Sequence, residues 1–250
     1  MHALLTGHSR GLGEAIADTL LARGIPVLAL SRHGNPALAA RHPDLLTEVA
    51  LDLADGAALE RWLADGALAR LLPAEAPVLL VNNAGMLQPV GAPGQQGAAA
   101  ILRAVTVNVA APLMLADALI AQRQGSAERR ILHVSSGAAR NPYAGWSLYC
   151  ATKAALDHHA RSVALDGLAG VRICSLAPGV IDTEMQSQIR ATPAERFPLK
   201  ARFEQLKQKG ELSSPAAAAG KLVDYLLSAG YGSEAVADIR TLATGRGATG

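Results

Sequence analysis

Tyr149 and Lys153 stand four positions apart in the stretch LYCATKAAL, residues 148–156. On an α-helix, positions so spaced share a face, with Cβ atoms roughly 6 Å apart. A phenol and an ammonium would then lie side by side. A free phenol, with a pKa of about 10, holds its proton too tightly to exchange it well near neutrality. A neighbouring ammonium favours the phenolate and lowers that value. Such a pair suits proton transfer to or from a reacting oxygen. A half-buried tyrosine beside a solvated lysine has the same spacing, so the rest of the chain must decide between the two.

A second cluster lies near the start, in LLTGHSRGLGEAIADTL, where Gly7, Gly11 and Gly13 fall between an apolar run and a helix-like segment. Glycine belongs there if the backbone must turn tightly, approach a pyrophosphate and let helix and strand pack closely. The helix N-terminus then offers free N–H groups and the positive end of its dipole to an anion. The strand-before, helix-after context points to dinucleotide binding. The next apolar run, VLALSRH, ends in Ser31 and Arg32 where an acidic residue would hold an adenosine 2′-hydroxyl. A guanidinium instead matches a 2′-phosphate in charge and geometry. Arg10, inside the glycine turn, offers a second positive group. These residues favour NADP(H) over NAD(H); an ordinary solvated loop arginine is the plainer account of Arg32.

Short apolar runs alternate with longer segments of helical periodicity along the whole chain. The runs at 3–6, 27–31, 46–51, 78–82, 130–135, 171–176 and 235–240 read as strands. The segments at 14–23, 57–72, 101–123, 149–168 and 215–228 read as helices. Most of the strands are apolar without alternation, as strands covered by helices on both faces must be. The fold class expected is α/β: a doubly wound, mostly parallel sheet with helices on both faces, the Rossmann architecture. No composition break divides the chain, so residues 1–250 read as a single domain. Residues 183–214 are polar and interrupted by Pro193 and Pro198, the mark of a lid or substrate loop. The glycine-rich end of the chain, 241–250, reads as a flexible tail.

Half of the residues are apolar and 18% are charged, enough for a large core. Aromatics make up only 3%, so Ala, Leu and Val must fill it. A net charge of +2 with no Lys/Arg cluster argues against a nucleic-acid surface. No run of 18 consecutive apolar residues occurs, so no membrane span is expected. Cys150 and Cys174 form no CxxC pair, and two isolated thiols fit a reducing, cytoplasmic compartment. Cys150 reads as a small packing residue, because no histidine or helix start is placed to activate it. His158 and His159 lack a second ligand pair at metal spacing, so no metal site is expected and both read as surface or interface residues.

The glycine spacing TGxxxGxG, the NNAG at 82–85 and the YCATK at 149–153 together resemble the short-chain dehydrogenase/reductase family. Further matches fall in the family order: Asp52 and Leu53, Asn108, Ser136, and PG-x-x-x-T from Pro178 to Thr183. The resemblance implies cofactor contacts from Gly7, Ser9, Arg10, Gly11, Leu12, Gly13, Ser31, Arg32, Asp52, Leu53, Asn83, Ala84, Gly85, Tyr149, Lys153, Pro178, Gly179, Val180 and Thr183. It also implies a catalytic set of Asn108, Ser136, Tyr149 and Lys153. Tyr149 would be general acid in reduction and general base in the reverse reaction. Lys153 would hold the nicotinamide ribose, Asn108 would position a relay water, and Ser136 would donate to the substrate oxygen as charge develops there. The segments PGVIDTEMQSQIR and LKARFEQLKQKGEL resemble the sepiapterin reductase and benzil reductase branch. That branch implies a small-molecule carbonyl substrate, with Asp238 as the match for a substrate-anchoring aspartate. It further implies a homodimer or homotetramer. A reductase of 3-oxoacyl thioesters and a non-catalytic NADP(H)-binding sensor are the alternatives. A sensor has no need of all four catalytic residues together.

Overall fold

The computed structural model describes residues 1–124 and 127–242. The tail at 243–250 lies outside the described residues. Seven strands form one sheet: β1 (His2–Thr6), β2 (Val27–Ser31), β3 (Leu46–Ala50), β4 (Val78–Asn82), β5 (Arg129–Val134), β6 (Val171–Ala177) and β7 (Val236–Asp238). Their order is β3-β2-β1-β4-β5-β6-β7, and every pairing is parallel. The expected strands are all present within a residue or two. β2 and β4 are buried at every position, whereas β3, at the sheet edge, is only partly buried.

Among the described residues ten α-helices accompany the strands: α1 (Gly11–Leu21), α2 (Pro36–Arg41), α3 (Gly56–Ala64), α4 (Ala67–Leu71), α5 (Ala98–Val105), α6 (Ala111–Ala121), α7 (Ser147–Leu165), α8 (Glu184–Ala191), α9 (Lys200–Gln208) and α10 (Pro215–Leu227). The single helix expected over 57–72 is two, because Gly66 takes a left-handed conformation between α3 and α4. Helices α5 and α6 join through a π-helical turn, Thr106–Ala110, into one continuous run. That run, Ala98–Ala121, is long and apolar enough by composition to cross a membrane. Its inward face packs Ala111, Leu115, Ala116 and Leu119 onto the sheet, as a core helix does.

Apolar layers cover both faces of the sheet. Helices α1 and α10 pack Ile16, Leu20, Leu222 and Leu226 against one face, where Leu5, Val81 and Leu132 meet them. On the other face Leu4, Leu80 and Ile131 meet α6 and α7. Connections from opposite directions meet between β1 and β4, and the crevice at the carboxyl ends of these strands is where such a fold takes a ligand.

Candidate active site

The glycine turn follows β1 and the NNAG segment follows β4, so the sheet order sets them side by side. Thr6 locks them together. Its hydroxyl accepts from the backbone N–H of Asn83 at 3.0 Å and of Ala84 at 2.9 Å. The Asn83 amide answers by donating to the carbonyls of Thr6 at 3.0 Å and Gly7 at 3.1 Å. Gly7 and Gly11 hold φ of +75° and +61°, which glycine alone adopts cheaply. A Cβ on Gly13 would stand 1.9 Å from the Gly7 carbonyl oxygen. Helix α1 starts at Gly11 with no side chain capping its first N–H groups. The turn therefore keeps open backbone donors and a cradle with no room for a side chain, which fits a dinucleotide pyrophosphate.

At the end of β2, Ser31 turns its hydroxyl onto the His33 carbonyl at 2.5 Å. Arg32 is exposed and has no ion-pair partner among the described residues. Arg10 departs from its expected role beside Arg32: its guanidinium pairs with Glu184 at the start of α8. Glu184 follows β6, on the opposite side of β1 from β2, so Arg10 points away from the Arg32 end. After β3, Asp52 caps the following turn by accepting from Ala54 N–H at 3.0 Å, and Leu53 is buried. After β6, Gly179 holds φ of +82°, and Thr183 lies in contact range of Gly11 across the crevice.

Tyr149 and Lys153 occupy the buried face of α7, one turn apart. The Lys153 ammonium sits 5.8 Å from the centre of the phenol ring. It donates to the Val134 carbonyl at 2.7 Å, at the end of β5. Asn108 is buried in the π turn and clasps Met86 at both ends, accepting from its N–H and donating to its carbonyl at 2.8 Å each. Its amide also reaches the Thr152 hydroxyl at 3.2 Å, which ties it to α7. A π turn widens the helix locally and is often found at functional sites. Ser136 follows the end of β5, accepts from Ala138 N–H at 3.2 Å, and stands next to the phenol. The fold thus brings Asn108, Ser136, Tyr149 and Lys153 to one place beside the glycine turn.

The electrostatics differ from the expectation that Lys153 draws the phenol down. Burial pushes the Tyr149 hydroxyl up to about 12, opposed by the Ser136 hydroxyl. Lys153 is itself brought down to about 8 by burial, with the Asp157 carboxylate acting against that fall. The cost of desolvating a phenolate outweighs the hydrogen bond from Ser136, and the neighbouring ammonium is itself desolvated. Tyr149 is therefore a neutral phenol across the physiological range, in the form required of a proton donor.

Tyr149 belongs to a cluster that holds five of the chain's eight aromatic side chains. Trp146 stacks on Phe197 with centroids 4.5 Å apart and meets Tyr149 edge-on at 5.5 Å. Phe203 and Tyr143 also touch Trp146. Phe197 and Phe203 come from residues 183–214, expected as a lid, which folds as α8 and α9 rather than as loop. An Ile181–Ser213 bridge closes the base of this excursion. Beside the aromatic cluster, a cleft of about 290 Å³ is lined by Gln88, Val90, Gln188, Ala191, Thr192, Pro193 and Arg196. Asp238 lies at the end of β7 with both carboxylate oxygens held by Arg240, at 2.9 and 2.6 Å. The structure does not bring Asp238 into contact with Ser136 or Tyr149.

The short chain dehydrogenase family pattern matches residues 1–194. The chain belongs to that family. It is an oxidoreductase acting on carbonyl or alcohol groups. Benzil reductase ((S)-benzoin forming) of Bacillus subtilis is 35% identical over 228 residues, covering 89% of this chain and 92% of the relative. Sepiapterin reductase of Meriones unguiculatus is 33% identical over 240 residues, covering 89% and 90%. A solved short-chain dehydrogenase/reductase from Burkholderia vietnamiensis superposes with a TM-score of 0.70 at 48% identity, covering 96% of this chain and 97% of that one.

Several groups around this short-chain dehydrogenase site escape a reading by motif. Thr152 acts through a hydroxyl that any helix threonine possesses, whereas Thr6 belongs to the TGxxxGxG motif and only its part in locking the NNAG segment came with the structure. Trp146 had a signal, lying one helical turn before Tyr149. His159, expected at the surface or in an interface, is partly buried, with Nδ1 3.1 Å from Nε2 of the buried His133. His133 Nδ1 in turn faces the Asn82 amide at 3.1 Å. An amide N–H donating to His133 Nδ1 puts the ring proton on Nε2, which then donates to His159. Desolvation holds His133 down at about 3, so it is neutral in the folded protein.

Proposed function

We propose that this protein is an NADPH-dependent carbonyl reductase of small ketones and diketones, with ring-bearing substrates of the benzil and sepiapterin kind preferred. The observation that carries this reading is the convergence of a neutral buried phenol, a serine hydroxyl and a lysine beside a glycine turn shaped for a pyrophosphate. Tyr149 gives its proton to the substrate oxygen, and Ser136 donates a second hydrogen bond to that oxygen as negative charge develops. Lys153 holds ribose hydroxyls, and Asn108, anchored on Met86 and Thr152, orients a water behind the lysine. A reduced nicotinamide bound in the crevice supplies the hydride. Arg32, unpaired at the end of β2, receives the 2′-phosphate. The aromatic cluster around Trp146 supports the preference for planar, ring-bearing carbonyls.

The test is loss of reduced-nicotinamide absorbance with a panel of a diaryl diketone, sepiapterin and an acetoacetyl thioester, using NADPH and NADH in turn. Turnover of the diketone with NADPH is the expected result. Tyr149→Phe should lower kcat by about 10²–10⁴-fold while leaving NADPH binding, read by nucleotide fluorescence, nearly intact. NADPH binding without oxidation by any carbonyl would instead identify a redox sensor.

A further inference from the structure

Behind the catalytic groups lies an ion pair whose carboxylate is buried and whose arginine side chain is 31% exposed. Arg140 ends the short 3₁₀ turn Gly137–Ala139 that follows Ser136. Its Nε donates to Asp157 Oδ2 at 3.0 Å, and its Nη2 donates to the Ala237 carbonyl on β7 at 2.9 Å. Asp157 is 2% exposed and faces inward from α7, one turn beyond Lys153. Its Oδ1 accepts from the hydroxyls of Ser135 at 2.6 Å and Ser175 at 2.7 Å. Ser135 immediately precedes Ser136, and Ser175 lies on β6. One carboxylate thus ties the serine loop, the lysine-bearing helix and a neighbouring strand together. Through Arg140 it also reaches β7.

An apolar side chain at position 157 would fill the same space at no electrostatic penalty, so simple packing does not account for a buried carboxylate here. Placement does. We propose that Arg140 and Asp157 are positioning residues for carbonyl reduction, fixing Ser136 and Lys153 relative to each other from behind the site. The proposal rests on the carbonyl-reductase reading above. It adds two residues whose action passes through the groups that meet the substrate.

Charge has a part beside geometry. The Asp157 carboxylate opposes the desolvation of Lys153 and so helps keep the amine protonated. The other titratable groups around this stretch are Tyr149 on α7, His133 on β5, Cys174 on β6 and, past Arg140, Asp238 on β7. His133 is neutral, Tyr149 is a phenol, and burial pushes the Cys174 thiol up to about 11. Asp238 is held by Arg240. Asp157 is left as the charge that acts on Lys153.

The test compares Asp157→Asn, Arg140→Met and Arg140→Lys with wild type in the full-length chain. It reads kcat and KM for a diketone with NADPH, the pH profile of kcat/KM, nucleotide affinity and thermal unfolding. Asp157→Asn should lower kcat at least about tenfold, with NADPH affinity near neutral pH close to wild type. Its alkaline limb should move to lower pH, because the lysine loses the carboxylate that favours its charged form. Arg140→Met should lose kcat similarly, and Arg140→Lys should recover part of it. Wild-type kcat with an unmoved alkaline limb in folded Asp157→Asn overturns the proposal. If that variant does not fold, the double variant Arg140→Met/Asp157→Leu removes both charges together. A low kcat and shifted limb there support positioning, and wild-type values overturn it. A wild-type protein that reduces no carbonyl overturns the function and this role together. Active wild type with equally active variants overturns this role alone.

Discussion

At Tyr149 two influences act in opposite directions on one proton, and burial wins. Spacing placed Tyr149 beside Lys153 correctly, but it could not report how dry their surroundings are, and that depends on Trp146 and the helices of the 183–214 excursion. The same dryness bears on Lys153. Its folded-state value of about 8 lies below its ordinary 10.5, so the unfolded chain holds this proton more tightly. The stability linked to this group is accordingly present above pH 10.5 and lost as pH falls through about 8. Lys153→Met should raise Tm near pH 7 while abolishing turnover, and the gain should shrink as the pH approaches 10.5. Differential scanning calorimetry across that range checks it, and an unchanged Tm near neutrality would contradict the account. Arg32 carries the other prediction at this scale. Arg32→Glu replaces an unpaired cation with a repelling carboxylate, so NADPH affinity should fall at least about tenfold more than NADH affinity. Titration with the two nucleotides checks it, and equal losses would remove Arg32 from the 2′-phosphate.

Elements were legible where apolar residues recur and illegible where polar residues do structural work. All seven strands showed as apolar runs, yet β5 begins at Arg129, a fully buried arginine whose guanidinium donates to the carbonyls of Ala74 and Ala76 at 2.7 Å each. No apolar pattern finds such a residue. Helix α2 was missed although its start carries an Asn35 cap and a proline in the first turn. Helices α8 and α9 were hidden because only one narrow stripe of each is apolar: Met185 and Ile189 on α8, Phe203 and Leu206 on α9. That stripe rests on Trp146, which gives an element-scale prediction. Phe197 is fully buried and stacked on Trp146, so Phe197→Ala should cost about 3 kcal/mol of packing. The loss should stay local, seen as faster proteolysis within 183–214 and a raised KM. Hydrogen exchange in the sheet should be unaltered; sheet-wide loosening would show that the excursion and the sheet unfold together.

For the molecule as a whole, alternating segments were enough to give a doubly wound sheet, while strand order came only with the structure. That order matters most for the site, because setting β1 beside β4 brings together glycines and asparagines some 70 residues apart in sequence. The proposed homo-oligomer also belongs to this scale. Leu102 on α5 and Leu165 at the end of α7 are 69% and 87% exposed, large apolar side chains on two helices that pack together. We propose that a second copy of the chain covers these two side chains. The paired substitution Leu102→Glu/Leu165→Glu should shift the sedimentation coefficient to that of a monomer; an unchanged value would locate the contact elsewhere. The Ile181–Ser213 bridge has a further consequence. There the chain departs from and returns to a single point beside β6, so the insert between these residues can be exchanged without moving its ends. Grafting in the equivalent piece of a relative should alter which molecules are accepted and, because Ile189, Phe197 and Phe203 pack in one cluster with Tyr149, should also reset the surroundings of the phenol.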